Sequence, residues 1–168
     1  LKVNIGKYPG PKSKKDRKVS VRIDYYDVWS LDHTLAIIIH PALLKLAEHK
    51  HGSPYVPDEE VPEHLRRSSA PPVKNDWETD ENFHKRWDWV LQEMIWAFGQ
   101  EIAEPHWEEQ FHSGTHDIQF KDNGDGTSTM VRGPRDTHGF DKEGWKAHSA
   151  RMENGFRLFG LFYRNLWD

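Results

Sequence analysis

An α+β fold dominated by helix is predicted from three observations. Three long stretches repeat apolar residues at helical spacing, two pairs of segments alternate apolar with polar side chains, and a proline-studded connection joins the first two helices. The predicted architecture is three long packed helices (31–51, 80–99 and 142–167) with two short β-hairpins and a long proline-rich loop at 52–78. At 168 residues the chain reads as one domain with a real core, and 8–18 form a basic turn or linker.

Val3 and Ile5 suggest a short strand ended by Gly6. Residues 18–26 alternate: Val19, Val21, Ile23 and Tyr25 point one way, and Ser20, Arg22, Asp24 and Tyr26 the other. That pattern predicts a half-buried strand, paired with the first in a hairpin whose tip carries the basic residues. The helix at 31–51 is apolar nearly all round (Leu35, Ala36, Ile37, Ile38, Ile39, Ala42, Leu43, Leu44, Leu46, Ala47), which predicts a helix inside the core. Ser30 or Asp32 would cap it, Gly52 would end it in a left-handed turn, and Pro41 would kink it near Ile37. Its unbroken apolar run, Leu35 to Ile39, is too short for a membrane span.

Residues 52–78 hold Pro54, Pro57, Pro62, Pro71 and Pro72, so this long connection either wraps a surface, anchored by Tyr55 and Val56, or moves. One helical turn is expected between Pro62 and Arg67. Thr79 or Asp80 should start the second helix, whose stripe is Phe83, Trp87, Val90, Leu91, Met94, Ala97 and Phe98. A short helix at 105–112 and a hairpin across Asn123-Gly124-Asp125-Gly126 follow. That acidic turn lacks the alternate ligands and late Glu of a calcium loop. Asp141 should cap the last helix, with Glu153 and Arg157 paired four residues apart and with Gly144, Gly155 and Gly160 offering close approach.

The chain has no cysteine, which removes disulfides and thiol nucleophiles, and it has eight tryptophans and eleven histidines. The net charge of −4 is uneven: residues 12–18 carry +4, the remainder −8. Lys12, Lys14, Lys15, Arg17 and Lys18 could form an arm for phosphate. The run is short and holds no aromatic residue for base stacking, so a solvated hairpin tip is the favoured reading.

The stretches YDVWSLDHTLAIIIHP, HKHGSPYV, RWDWVLQEMIWAF and NGFRLFGLFYRNLWD resemble a family of small uncharacterised proteins of T4-like phages of marine bacteria, also found in ocean metagenomes. The likeness spans most of 17–168 and is weakest at 99–140. Family members carry a longer segment where this chain has PGPKSKKDRK. The resemblance implies an accessory phage protein in the cytoplasm of the infected host or in the virion. It implies no activity, cofactor or catalytic residue.

Residues that could carry chemistry are scattered. His33 and His40 share a face of the first helix, two turns or about 10 Å apart, too far to ligate one metal ion. Glu93 lies between Trp89 and Trp96, where desolvation would favour a general acid unless an arginine such as Arg151 or Arg157 pairs with it. With Asp88 and His148 these make the candidate catalytic set. Two Glu-x-x-His pairs, Glu81/His84 and Glu109/His112, together with His116, are the candidate metal ligands. They sit at helix ends rather than inside a bundle, so no metal and no cofactor are expected. No Walker loop, dinucleotide glycine pattern, nucleophile elbow or zincin motif is present. Three functions remain in play: a non-catalytic module that binds a phage or host protein, a metal-assisted hydrolase or nuclease using the carboxylates and histidines between helices, and a nucleic-acid-associated protein using the basic arm. The first is favoured, without a membrane role.

Overall fold

The computed structural model describes residues 1–7, 9, 10, 12, 15–75 and 77–167. Lys14 of the basic arm lies outside the described residues. Three long helices dominate: α1 (Leu31–His49), α2 (Phe83–Glu101) and α3 (Lys142–Leu161). The strands are β1 (Lys2–Ile5), β2 (Val19–Arg22), β3 (His112–Ser113), β4 (Ile118–Asp122), β5 (Ser128–Arg132) and β6 (Gly139–Phe140). They form three two-stranded antiparallel ribbons, β1–β2, β3–β6 and β4–β5. The α+β, mostly α, class is therefore as the sequence pattern indicates, with one short extra ribbon.

The centre of the molecule is α2, packed against both α1 and α3. Of its expected stripe, Trp87, Val90, Leu91, Met94, Ala97 and Phe98 are buried and Phe83 is half-buried. Each large side chain fully removed from water is worth about 1.5–3 kcal/mol, which makes this helix the main source of stability. The α2–α3 contact is close because Gly155 has no side chain: a Cβ there would lie 2.4 Å from Ala97 Cβ and 2.7 Å from the Glu93 carbonyl. Gly144 faces the Asp141 cap, and Gly160 faces open space.

Several expectations are corrected. α1 is not inside the core: only Ala36 and Leu43 are buried, while Leu35, Ile37 and Leu44 stand in solvent. α1 ends at an extended Lys50 rather than a left-handed Gly52, and Ser30 occupies the cap position without a side-chain bond; Pro41 lies inside the helix. α2 starts at Phe83 because Asp80 turns back to accept from the Asn82 amide and to hold Arg86. The 105–112 segment is a 3₁₀ turn, Trp107–Phe111, and α3 gives way to a 3₁₀ turn, Tyr163–Asn165. Arg157 pairs with Glu60 and Asn154, not with Glu153. The Asp141 cap (Oδ1 to the Gly144 amide, 2.9 Å) and the glycine turn (Gly124 and Gly126 at positive φ) match expectation.

The 52–78 loop wraps α2. Val56 and Val61 are buried in the core, Glu60 reaches Arg157 on α3, and Arg86 donates to the Leu65 carbonyl. Tyr55, expected as a second anchor, is exposed. Among its described residues the loop holds three 3₁₀ turns rather than one: Asp58–Glu60, Glu63–Leu65 and Arg67–Ser69.

Candidate interaction surface

The candidate surface is at the N-terminal end. In the β1–β2 ribbon, Val3 lies opposite Val21 and Ile5 opposite Val19. Side chains alternate across a strand, so Val3, Ile5, Val19 and Val21 share one face and Lys2, Asn4, Ser20 and Arg22 share the other. The ribbon is amphipathic as the alternation indicates. Three of its four apolar residues are nevertheless exposed, Ile5, Val19 and Val21 at 51%, 60% and 56%, while Val3 is half-buried. The expected half-buried strand is thus exposed on both faces over Val19–Arg22.

A 3₁₀ turn, Tyr25–Val28, joins the ribbon to α1. It is held at Asp27, whose carboxylate takes the Leu1 ammonium at 2.8 Å and the Asp24 amide at 2.7 Å, and whose carbonyl accepts from Thr34 Oγ1 at 2.9 Å. The Leu1 ammonium, and secondarily the Asp24 amide, keep the Asp27 carboxyl below its usual range. The turn presents Tyr26 and Trp29 in a parallel stack, centroids 6.3 Å apart, 77% and 76% exposed. Exposed aromatics of this size, continuous with the bare ribbon and the solvent-facing side of α1, form a larger apolar area than a lone surface side chain would.

Next to it runs a groove of about 480 Å³ where α1 and α3 diverge over α2. Leu35, Ile39, Phe98, Phe156 and Phe159 line it, with Asp32 and Glu101 as the acidic groups. A second apolar hollow, lined by Ile38, Ala42, Leu46 and Leu166 among others, lies along the same two helices.

The five candidate catalytic residues do not converge. His33 Nδ1 donates to the Glu101 carbonyl at 3.0 Å, and His40 lies against Gly99, where an added Cβ would be 3.2 Å from its Nε2. Asp88 takes Lys50 at 2.6 Å. Glu93 is paired bidentately with Arg151 at 2.8 and 2.9 Å, and the Arg151 guanidinium stacks 3.9 Å over Trp96. His148 is sandwiched against Trp107 (5.0 Å, nearly parallel) and Trp96. Burial, and secondarily Arg151, push the His148 imidazole below its usual pKa. Glu93 and His148 are thus bound into one stack, with the other three elsewhere.

Among the proposed ligands, Glu81 is exposed and His84 shares a hydrogen bond with Ser53 Oγ. His112 Nδ1 is 2.8 Å from His138 Nε2, and His116 stacks on His138 at 3.8 Å. Burial and the two flanking histidines hold His138 below its usual pKa. Glu109 takes no part in that stack. Among the described residues, no three histidines or carboxylates are placed to hold a metal ion. The sequence reading missed His138 and Asp136, whose signal was the polar Asp136-Thr137-His138 run before Gly139. Of the basic arm, Lys12, Lys15 and Lys18 are exposed, while Arg17 Nε donates to the Gly6 carbonyl at 2.7 Å and so braces the ribbon.

No protein-family model matches this chain, and neither a curated protein nor a solved structure does. No helix among the described residues is long and apolar enough to cross a membrane.

Proposed function

We propose that this chain is a non-catalytic protein-interaction module, an accessory protein of a T4-like phage acting in the infected host or the virion. The observation that carries the reading is the amphipathic β1–β2 ribbon, which turns Ile5, Val19 and Val21 to solvent beside the exposed Tyr26–Trp29 stack. Leaving such a face wet forfeits burial worth about 25 cal/mol per Å², which a protein partner would recover. The partner is a phage or host protein with a complementary apolar surface. The hydrolase reading is less well supported, because its candidate groups are already engaged with separate partners. The nucleic-acid reading rests on local charge alone.

Site-specific photocrosslinking tests this function. A photoreactive residue at Val21 or Tyr26 should yield protein adducts in an extract of infected cells, whereas one at the exposed Lys146 should not. No adduct from either apolar position would contradict the reading.

A further inference from the structure

We propose that the partner on this surface is a second copy of the chain, held by an exchange of arms in which the β1–β2 ribbon of each copy lies, apolar face down, in the α1–α3 groove of the other. This rests on the reading that the N-terminal face docks protein, and it names the partner.

The first argument is area. The chain exposes 12795 Å². A compact monomer of 19.8 kDa exposes about 8,600 Å². The excess, about 4,000 Å² per chain, is above both the roughly 800 Å² per partner of a standard interface and the roughly 1,000–2,500 Å² per partner of an obligate one, so the chain has ample surface to give to a dimer. The second argument is that an isolated two-stranded ribbon is marginal in water and needs a surface to pack on. Ile5, Val19 and Val21 on its apolar face are exposed, and the open groove is lined by the exposed Leu35 and by Ile39, Phe98, Phe156 and Phe159 from the edge of the core; both belong to this chain.

Charge decides the arrangement. Residues 1–23 hold eight Lys and Arg against Asp16 alone, net +7, so the rest of the chain carries −11. Two ribbons placed face to face would bring these positive charges together. A ribbon in the groove instead sets the net-positive N-terminal segment as a whole against the net-negative body of the other copy, whose groove carries Asp32 and Glu101. The geometry also permits reciprocity. The ribbon joins the body beside the groove, since Asp32 in the first turn of α1 lines the groove and Thr34, two residues on, holds Asp27. One two-fold axis can therefore close two identical ribbon–groove contacts.

The chain has no cysteine of its own, so single cysteines report proximity cleanly. By light scattering and sedimentation the full chain should run at twice its monomer mass and shift toward monomer as salt rises. Val19→Glu with Val21→Glu, or Leu35→Glu alone, should halve that mass while leaving the helical circular dichroism unchanged. Val21→Cys and Leu35→Cys chains, mixed under mild oxidation, should form the mixed disulfide in preference to either homodisulfide. Wild type that stays monomeric across the micromolar range, variants that remain dimeric, or Val21→Cys homodisulfides as the main product would each overturn the proposal. A monomer whose Val21 and Tyr26 probes capture a different protein would overturn this inference and leave the interaction module standing. A monomer with no protein adduct would overturn both.

Discussion

α1 and α2 are both 19 residues long, and the more apolar of the two is the less buried. α1 carries the run Leu35 to Ile39 yet buries only Ala36 and Leu43. α2 carries Arg86, Asp88 and Glu93 among its apolar residues and buries nine positions, Arg86 and Glu93 included. The difference lies in the neighbours. α2 has α1, α3 and the proline loop around it, and its two buried charges have dedicated partners in Asp80 and Arg151. α1 has α2 on one side and solvent on the other. An apolar surplus on a helix thus marks a surface that requires a neighbour, whether or not its own chain supplies one.

Substitutions on the two helices should separate them. The largest effect is expected from Asp80→Ala. Arg86, only 2% exposed, makes two bonds to the Asp80 carboxylate at 2.8 and 2.9 Å, and removing one partner of a buried pair costs about 3–5 kcal/mol. Urea unfolding should show that loss, whereas Lys50→Ala, which frees the half-exposed Asp88, should cost about 1 kcal/mol or less. A loss below about 1 kcal/mol for Asp80→Ala would show that Arg86 reaches water without its partner.

Leu91→Ala should cost about 2–5 kcal/mol on α2, while Leu44→Ala on the solvent side of α1 should stay within about 0.5 kcal/mol in the monomer. Equal losses in thermal melts would mean that α1 is as well covered as α2. Gly155→Ala forces a methyl into Ala97 and the Glu93 carbonyl and should cost about 1–3 kcal/mol. Gly52→Ala, with open space and no positive φ, should be neutral.

The smallest effect concerns acid. His148 is held neutral by burial between Trp96 and Trp107 and by Arg151. The unfolded chain takes up a proton near pH 6.5 that the folded chain refuses until lower pH. The folded state therefore keeps its full stability above that value and loses some as pH falls below it. His148→Phe should flatten that limb of the stability–pH curve. An unchanged slope between pH 7 and 5 (roughly the range of histidine titration) would place the loss on other groups.

Legibility in the sequence followed locality. The helices, the β1–β2 and β4–β5 ribbons, the Asp141 cap and the glycine turn come from short-range pattern, and each is present. The Glu93–Arg151 pair was legible as an alternative because an arginine at either of two α3 positions could satisfy it. What periodicity cannot supply is which apolar face finds a cover. The alternation at 19–23 is the same whether a core or solvent lies above it, and the Asp80–Arg86 pair depends on a turn that bends back before α2 begins. The His112–His138–His116 stack joins residues separated by 22 to 26 positions through the β3–β6 pairing, which two-residue strands do not announce.

Amide hydrogen exchange on dilute monomer tests most directly whether the N-terminal ribbon lacks a cover within its own chain. The β1 and β2 amides, in strands whose side chains are exposed except for Val3, should exchange in the earliest time points, while α2 amides from Val90 to Ala97 open only with global unfolding. On raising the concentration until the dimer forms, protection should appear in β1, β2 and the Leu35–Ile39 segment of α1 together. Ribbon amides as slow as those of α2 in the dilute monomer would contradict the claim, because they would show that the chain stabilises its ribbon unaided.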